Sequence, residues 1–142
     1  MKVQHISTIT RFVGEYPSLS AFLMSASTVP SDSESVSTRA EGSFAGHADN
    51  FSLSYKEQDG TVARVSFDGD TLSFSRGGTF ATFTRAKSTS FSYVSAIGAL
   101  PATAYTVTLE VKEREGKLLL CVEYFMHLSN MVQKNTMRWK LF

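Results

Sequence analysis

Arg76 is the residue of this sequence placed best to hold a ligand. It follows Leu72 and Phe74 at a two-residue phase, so a strand would carry all three on one face, and it precedes Gly77-Gly78, a turn with no side chains to obstruct approach. A guanidinium at such a mouth can grip a carboxylate through two parallel N–H bonds, which suits a small anionic or amphipathic ligand. It can equally emerge into solvent, or pair with a carboxylate of the chain such as Glu57 or Glu123. Tyr93, Tyr105 and Tyr124 could add hydroxyls to the same ligand, although a tyrosine of this kind is commonly core with a wet tip.

Other chemistry is thinly supported. His5, His47 and His127 show no metal-ligand spacing, and the single cysteine, Cys121, offers neither a disulfide nor a thiolate cluster. Cys121, Glu123 and His127 would share one strand face, the one grouping that hints at acid–base work, but such a trio is ordinarily an exterior surface. No Gly-x-Ser-x-Gly elbow occurs among the many serines. An enzyme is therefore not expected, and neither is a cofactor. Arg85, Lys87, Lys134, Arg138 and Lys140, with Phe83 or Phe91 to stack on bases, could serve single-stranded nucleic acid. With a net charge of +1 they read better as solubilising charge, which makes nucleic acid an unlikely partner.

The elements that must carry these residues are strands. Eleven Phe and five Tyr in 142 residues, with abundant Ser, Thr and Val, suit pleated and half-buried surfaces. From Phe51 onward the chain alternates: Phe51, Leu53 and Tyr55, then Ala63, Val65 and Phe67, then Leu72 and Phe74, with turns at Gln58-Asp59-Gly60, Asp68-Gly69-Asp70 and Gly77-Gly78. Phe80 to Arg85 can face inward through Phe80, Thr82 and Thr84 or through Ala81 and Phe83. Tyr105, Val107, Leu109 and Val111 alternate on a long strand, and Leu118 to Leu128 and Met137 to Leu141 follow.

Residues 1 to 43 are weakly patterned. Ile6, Thr8, Thr10 and Phe12 can share a strand face; Ser18 with Leu19, Phe22, Leu23 and Ala26 reads as a capped short helix, although Leu19, Ala21 and Leu23 fit a strand equally well; and Ser31 to Ser35 reads as a polar connection into a strand from Val36 to Phe44 broken at Gly42. The apolar stretch from Leu19 to Val29 is interrupted by serines and is too short to span a bilayer. No membrane partner is expected, and the lone cysteine fits a reducing cytoplasm. The whole chain, 1–142, therefore reads as one all-β domain, an antiparallel meander closed into a barrel of about eight strands with one short helix near the N-terminus.

Phe51-Ser52-Leu53-Ser54-Tyr55-Lys56-Glu57, Asp70-Thr71-Leu72-Ser73-Phe74-Ser75-Arg76-Gly77-Gly78, Tyr93 with Gly98-Ala99-Leu100-Pro101, and Gly116-Lys117-Leu118 leading into Val122-Glu123-Tyr124 carry a resemblance. Over residues 42–142 the chain resembles the YwiB-like family of small bacterial proteins of unknown function. Ser95-Ala96-Ile97-Gly98 departs from the family's Pro-Tyr-Gly turn. The resemblance implies a lipocalin-like, or calycin-type, barrel and no catalytic motif.

A barrel of this size is either filled by side chains or holds one small ligand. The bulk of Phe51, Tyr55, Phe67, Phe74, Tyr105, Leu109, Leu120, Tyr124 and Trp139 favours filling. Two functions remain open: a non-catalytic binding module for a small apolar or amphipathic anion, held by Arg76, Tyr93, Tyr105 and Tyr124, or a filled barrel that is a protein-interaction or assembly subunit, with a protein partner or a homo-oligomer.

Overall fold

The alternating segments fold as strands in the computed structural model, which describes residues 1–142. Ten strands are present: β1 (Lys2–Phe12), β2 (Pro30–His47), β3 (Asn50–Lys56), β4 (Val62–Phe67), β5 (Thr71–Arg76), β6 (Thr79–Thr84), β7 (Ser88–Ser95), β8 (Gly98–Arg114), β9 (Lys117–Leu128) and β10 (Met131–Leu141). One short helix, α1 (Leu19–Leu23), is capped as expected by Ser18, whose hydroxyl accepts the Ala21 N–H. It is not long or apolar enough to cross a membrane.

Every strand pairing is antiparallel, in the order β6-β5-β4-β3-β2-β1-β10-β9-β8-β7. The first and last strands meet along their length, from Val3 opposite Leu141 to Arg11 opposite Gln133. The remaining seam, between β6 and β7, has no backbone ladder. Hydroxyls bridge it: Thr89 Oγ1 donates to the Thr82 carbonyl at 2.6 Å, and the Val94 N–H donates to Thr79 Oγ1 at 2.9 Å. The result is a nearly closed barrel.

Ten strands are present against the expected eight or so, and the two at the weakly patterned start of the chain are longer than their pattern shows. Ser31 to Ser35 is strand rather than connection. It shows no alternation because both of its faces are exposed, and it is held by its backbone partners on β1. Gly42 does not break β2 but marks its change of partner: residues up to Glu41 pair with β1, and those from Gly42 to His47 pair with β3. A Cβ at Gly42 would lie 2.7 Å from Val3 Cγ2. It would also lie 3.1 Å from the Ser54 carbonyl, so a side chain at this position would have to displace the buried Val3.

The interior is packed. Twenty buried residues form one cluster, among them Phe51, Leu53, Tyr55, Val65, Leu72, Phe83, Leu120, Val122, Tyr124 and Trp139. On β6 the inward pair is Ala81 and Phe83, while Phe80 is exposed. On β8 the phase differs from the expectation. A bulge between Thr106 and Thr108 adds one residue, so Ala102, Ala104 and Thr106 face inward before it and Leu109 after it. Tyr105 consequently points outward. There it joins a second cluster of Phe12, Leu19, Phe22 and Val132, through which α1 packs on the outer wall.

Candidate functional site

Arg76 closes β5 and sits opposite Ala63 on β4, two strands from Glu57 at the end of β3. Its guanidinium makes a two-pronged bond, Nε–H to Glu57 Oε1 and Nη2–H to Oε2, both at 2.7 Å. Half of the arginine side chain remains in water, while Glu57 is only 10% exposed. The bond to Glu57 raises the Arg76 pKa and keeps the group charged. The carboxylate it grips therefore belongs to the chain itself.

Behind this pair lie aromatic groups from both walls. Tyr55, two residues before Glu57, accepts the Trp139 indole N–H at 3.0 Å. His5 stacks on Trp139 with ring centroids 4.6 Å apart, and its Nδ1 bonds to the Arg138 carbonyl at 3.1 Å. That bond needs the proton on Nδ1. Burial pulls the His5 pKa down to about 4 and pushes Tyr55 up to about 12. Both are neutral across the physiological range.

In front of the pair is a cleft of about 270 Å³, between Val36 to Arg39 of β2 on one side and Glu57 to Asp59 with Arg76 on the other. It exists because β2 leaves β3 at Gly42. From Ser33 to Arg39 the strand has β1 as its only neighbour. The phase of its free groups follows from the start of the ladder. Gly42 exchanges both bonds with Met1, N–H to carbonyl at 2.8 Å and the N-terminal amine to carbonyl at 3.2 Å, while Lys2 bonds the other way to Phe142. Antiparallel alternation then directs residues 40, 38, 36 and 34 toward β1. Ser33, Ser35, Ser37 and Arg39 present their N–H and C=O groups to the open side.

The four residues expected to share a ligand are not brought together. Tyr124 is buried, its hydroxyl accepting Asn135 Nδ2 at 3.0 Å, and Asn135 Oδ1 accepts Gln133 Nε2 at 2.8 Å. Its ring lies 4.4 Å from that of Phe83, and burial pushes its pKa up to about 12. Tyr93 is partly exposed near it, while Tyr105 is on the outer wall under α1. On that outer wall Glu123 faces Lys134 at 3.4 Å, and His127 Nε2 bonds to the Tyr16 carbonyl at 2.7 Å, tethering the α1 segment. Burial raises the Cys121 pKa, away from a reactive thiolate. No three His, Cys, Asp or Glu side chains converge to hold a metal ion.

A second concavity, about 440 Å³, lies on the outer face of β3 to β5, lined by Ser52, Ser54, Ser66, Ser73 and Ser75 around Arg64 and bounded by the exposed Phe80. Sequence reasoning named Arg76 and Glu57 but passed over the open edge of β2. Its signal was the run Ser31 to Ser35 itself, polar on both faces yet long enough to be a strand.

The fold matches the crystal structure of the ywiB protein from Bacillus subtilis, with a TM-score of 0.61, 16% identity, and coverage of 98% of this chain and 92% of that one. Among curated proteins none matches. The model of a domain of unknown function, DUF1934, matches residues 23–138, from the end of α1 into β10. This chain belongs to the DUF1934 family.

Proposed function

We propose that the protein is a non-catalytic assembly module, a packed barrel that offers the edge of β2 to an extended strand of a protein partner. One observation carries this: from Ser33 to Arg39 the backbone pairs on one side only, and that open side borders a cleft of about 270 Å³. Two devices that usually blunt an edge, a proline and a bulge, lie outside that stretch, and of its two charged residues Glu34 is paired while Arg39 closes the run. Pro30 lies at the start of β2, the register shift falls at Arg11/Phe12, and the acidic Asp32 and Glu34 are drawn back by Arg11 at 3.2 and 2.9 Å. The small-anion reading has less support. Side chains fill the interior, and Arg76 already holds Glu57.

The test is selection of binding peptides from a random display library, with the Ser37→Pro protein as counter-target. Proline at 37 removes an outward N–H and leaves the β1 ladder intact. Extended peptides that bind the wild type and not the variant are expected, and they should slow amide exchange at Ser33, Ser35, Ser37 and Arg39. Recovery of no such peptide with the chain held monomeric, by dilution or by Val36→Asp, would sink the reading.

A further inference from the structure

We infer that the strand added to β2 is β2 of a second copy of this chain, antiparallel, with Val36 on the two-fold axis. The inference rests on the open-edge reading above and names its occupant.

An antiparallel pair formed by two copies about an axis normal to the sheet must set outward-bonding residues against outward-bonding residues. The free groups belong to Ser33, Ser35, Ser37 and Arg39, and their midpoint is Val36. Centred there, Ser35 exchanges its bonds with Ser37 of the second copy, and Ser33 with Arg39, so no open backbone group from Ser33 to Arg39 is left over. Val36, 61% exposed and the large apolar side chain of this stretch, meets its own image in a non-hydrogen-bonded position, where side chains approach most closely.

The charges agree with this register. Glu34 lies opposite Thr38 of the second copy and Asp32 opposite Ala40, so no like charges face each other. A shift of two residues toward the N-terminus, centred on Glu34, would set that carboxylate against itself. The side chains agree as well. On the face shared with β1, the β2 serines already meet hydroxyls, Ser35 with Thr8 at 2.9 Å and Ser33 with Thr10 at 3.3 Å. A second hydroxyl-bearing β2 continues that ladder outward, whereas an apolar partner strand would lay its side chains on serines.

The test is sedimentation of the full chain over micromolar to millimolar concentration, with variants. A dimer of the 15.6 kDa chain is expected, lost in Ser37→Pro and in Val36→Asp, which puts like charges on the axis and does not depend on a proline being tolerated. In a Cys121→Ser background, Val36→Cys should cross-link two chains under oxidised glutathione, its two thiols joining as a disulfide while glutathione is reduced. Thr38→Cys should not, being opposite residue 34. A wild type that stays monomeric, a dimer indifferent to both edge variants, or equal cross-linking at 36 and 38 would overturn the inference. If the wild type is monomeric yet peptides dependent on Ser37 are recovered, the second copy fails as occupant and the open-edge reading stands.

Discussion

Trp139 on β10 donates its indole N–H to the Tyr55 hydroxyl on β3 at 3.0 Å, across a barrel wall in which β2 and β1 lie between the two strands. Both residues are at most 3% exposed. The bond satisfies the one polar atom of the largest core side chain, and the indole packs against His5 and Phe74. It ties β10 to β3 behind the intervening β1 and β2, at the end where β2 parts from β3.

Tyr55→Phe removes only an oxygen but leaves the indole N–H buried without a partner. The expected cost is about 1–3 kcal/mol. Denaturant unfolding of Tyr55→Phe, Trp139→Phe and the double variant should show the two effects to be less than additive, because each removes the same bond. Full additivity would mean that the bond is absent in solution.

His5 makes stability pH-dependent with a definite sign. Its native pKa is about 4 against an ordinary 6.5, so between those values the unfolded chain binds a proton that the native one refuses. Stability therefore falls as pH drops from about 6.5 to about 4 and levels off below, by up to about 3 kcal/mol from this group. His5→Phe keeps the stack on Trp139 and should flatten that part of the stability profile, with a pH-independent offset for the lost Arg138 contact. An unchanged slope would assign the dependence elsewhere.

The Arg76–Glu57 pair is asymmetric, with the arginine half in water and the carboxylate nearly enclosed. Arg76→Ala leaves that carboxylate without its partner, while the exposure of the guanidinium limits the loss to about 1 kcal/mol, near 3 °C in Tm. An arginine placed only to hold a ligand would leave Tm little changed on removal. Thermal unfolding of Arg76→Ala with and without Glu57→Gln decides, since the glutamine should recover part of the loss. No change in Tm for Arg76→Ala would refute the structural role.

What the sequence could reveal followed from which faces are wet. Leu118, Leu120, Val122, Tyr124 and Met126 face a dry core while their neighbours do not, so their alternation is legible. The first half of β2 has water on both faces, and a strand without a dry side looks like a loop. The β8 bulge hid for the opposite reason. Tyr105, Val107, Leu109 and Val111 form an unbroken apolar series, yet one inserted residue moves Tyr105 to the outer wall and gives its place to the small Ala102, Ala104 and Thr106. For Arg76 both a ligand and Glu57 were chemically sound partners. Only the folding of β3 against β4 and β5 brings that carboxylate within reach.

Thr106, at that same bulge, is fully buried, and its hydroxyl has no protein partner. The backbone does the local bonding instead: the Thr106 carbonyl accepts the Ala86 N–H at 2.9 Å, and its N–H donates to the Lys87 carbonyl at 3.2 Å. Valine has nearly the same shape and β-branching, so Thr106→Val removes the desolvation cost of an unmade bond and disturbs neither backbone contact. A gain of about 1 kcal/mol is expected, against a loss of about 1 kcal/mol for Thr106→Ser, which keeps the hydroxyl and deletes the packed methyl. Denaturant midpoints in the order Val, wild type, Ser would show that the methyl group of Thr106 carries the packing and that its hydroxyl contributes no stability. The reverse order would mean that the hydroxyl is bonded in solution.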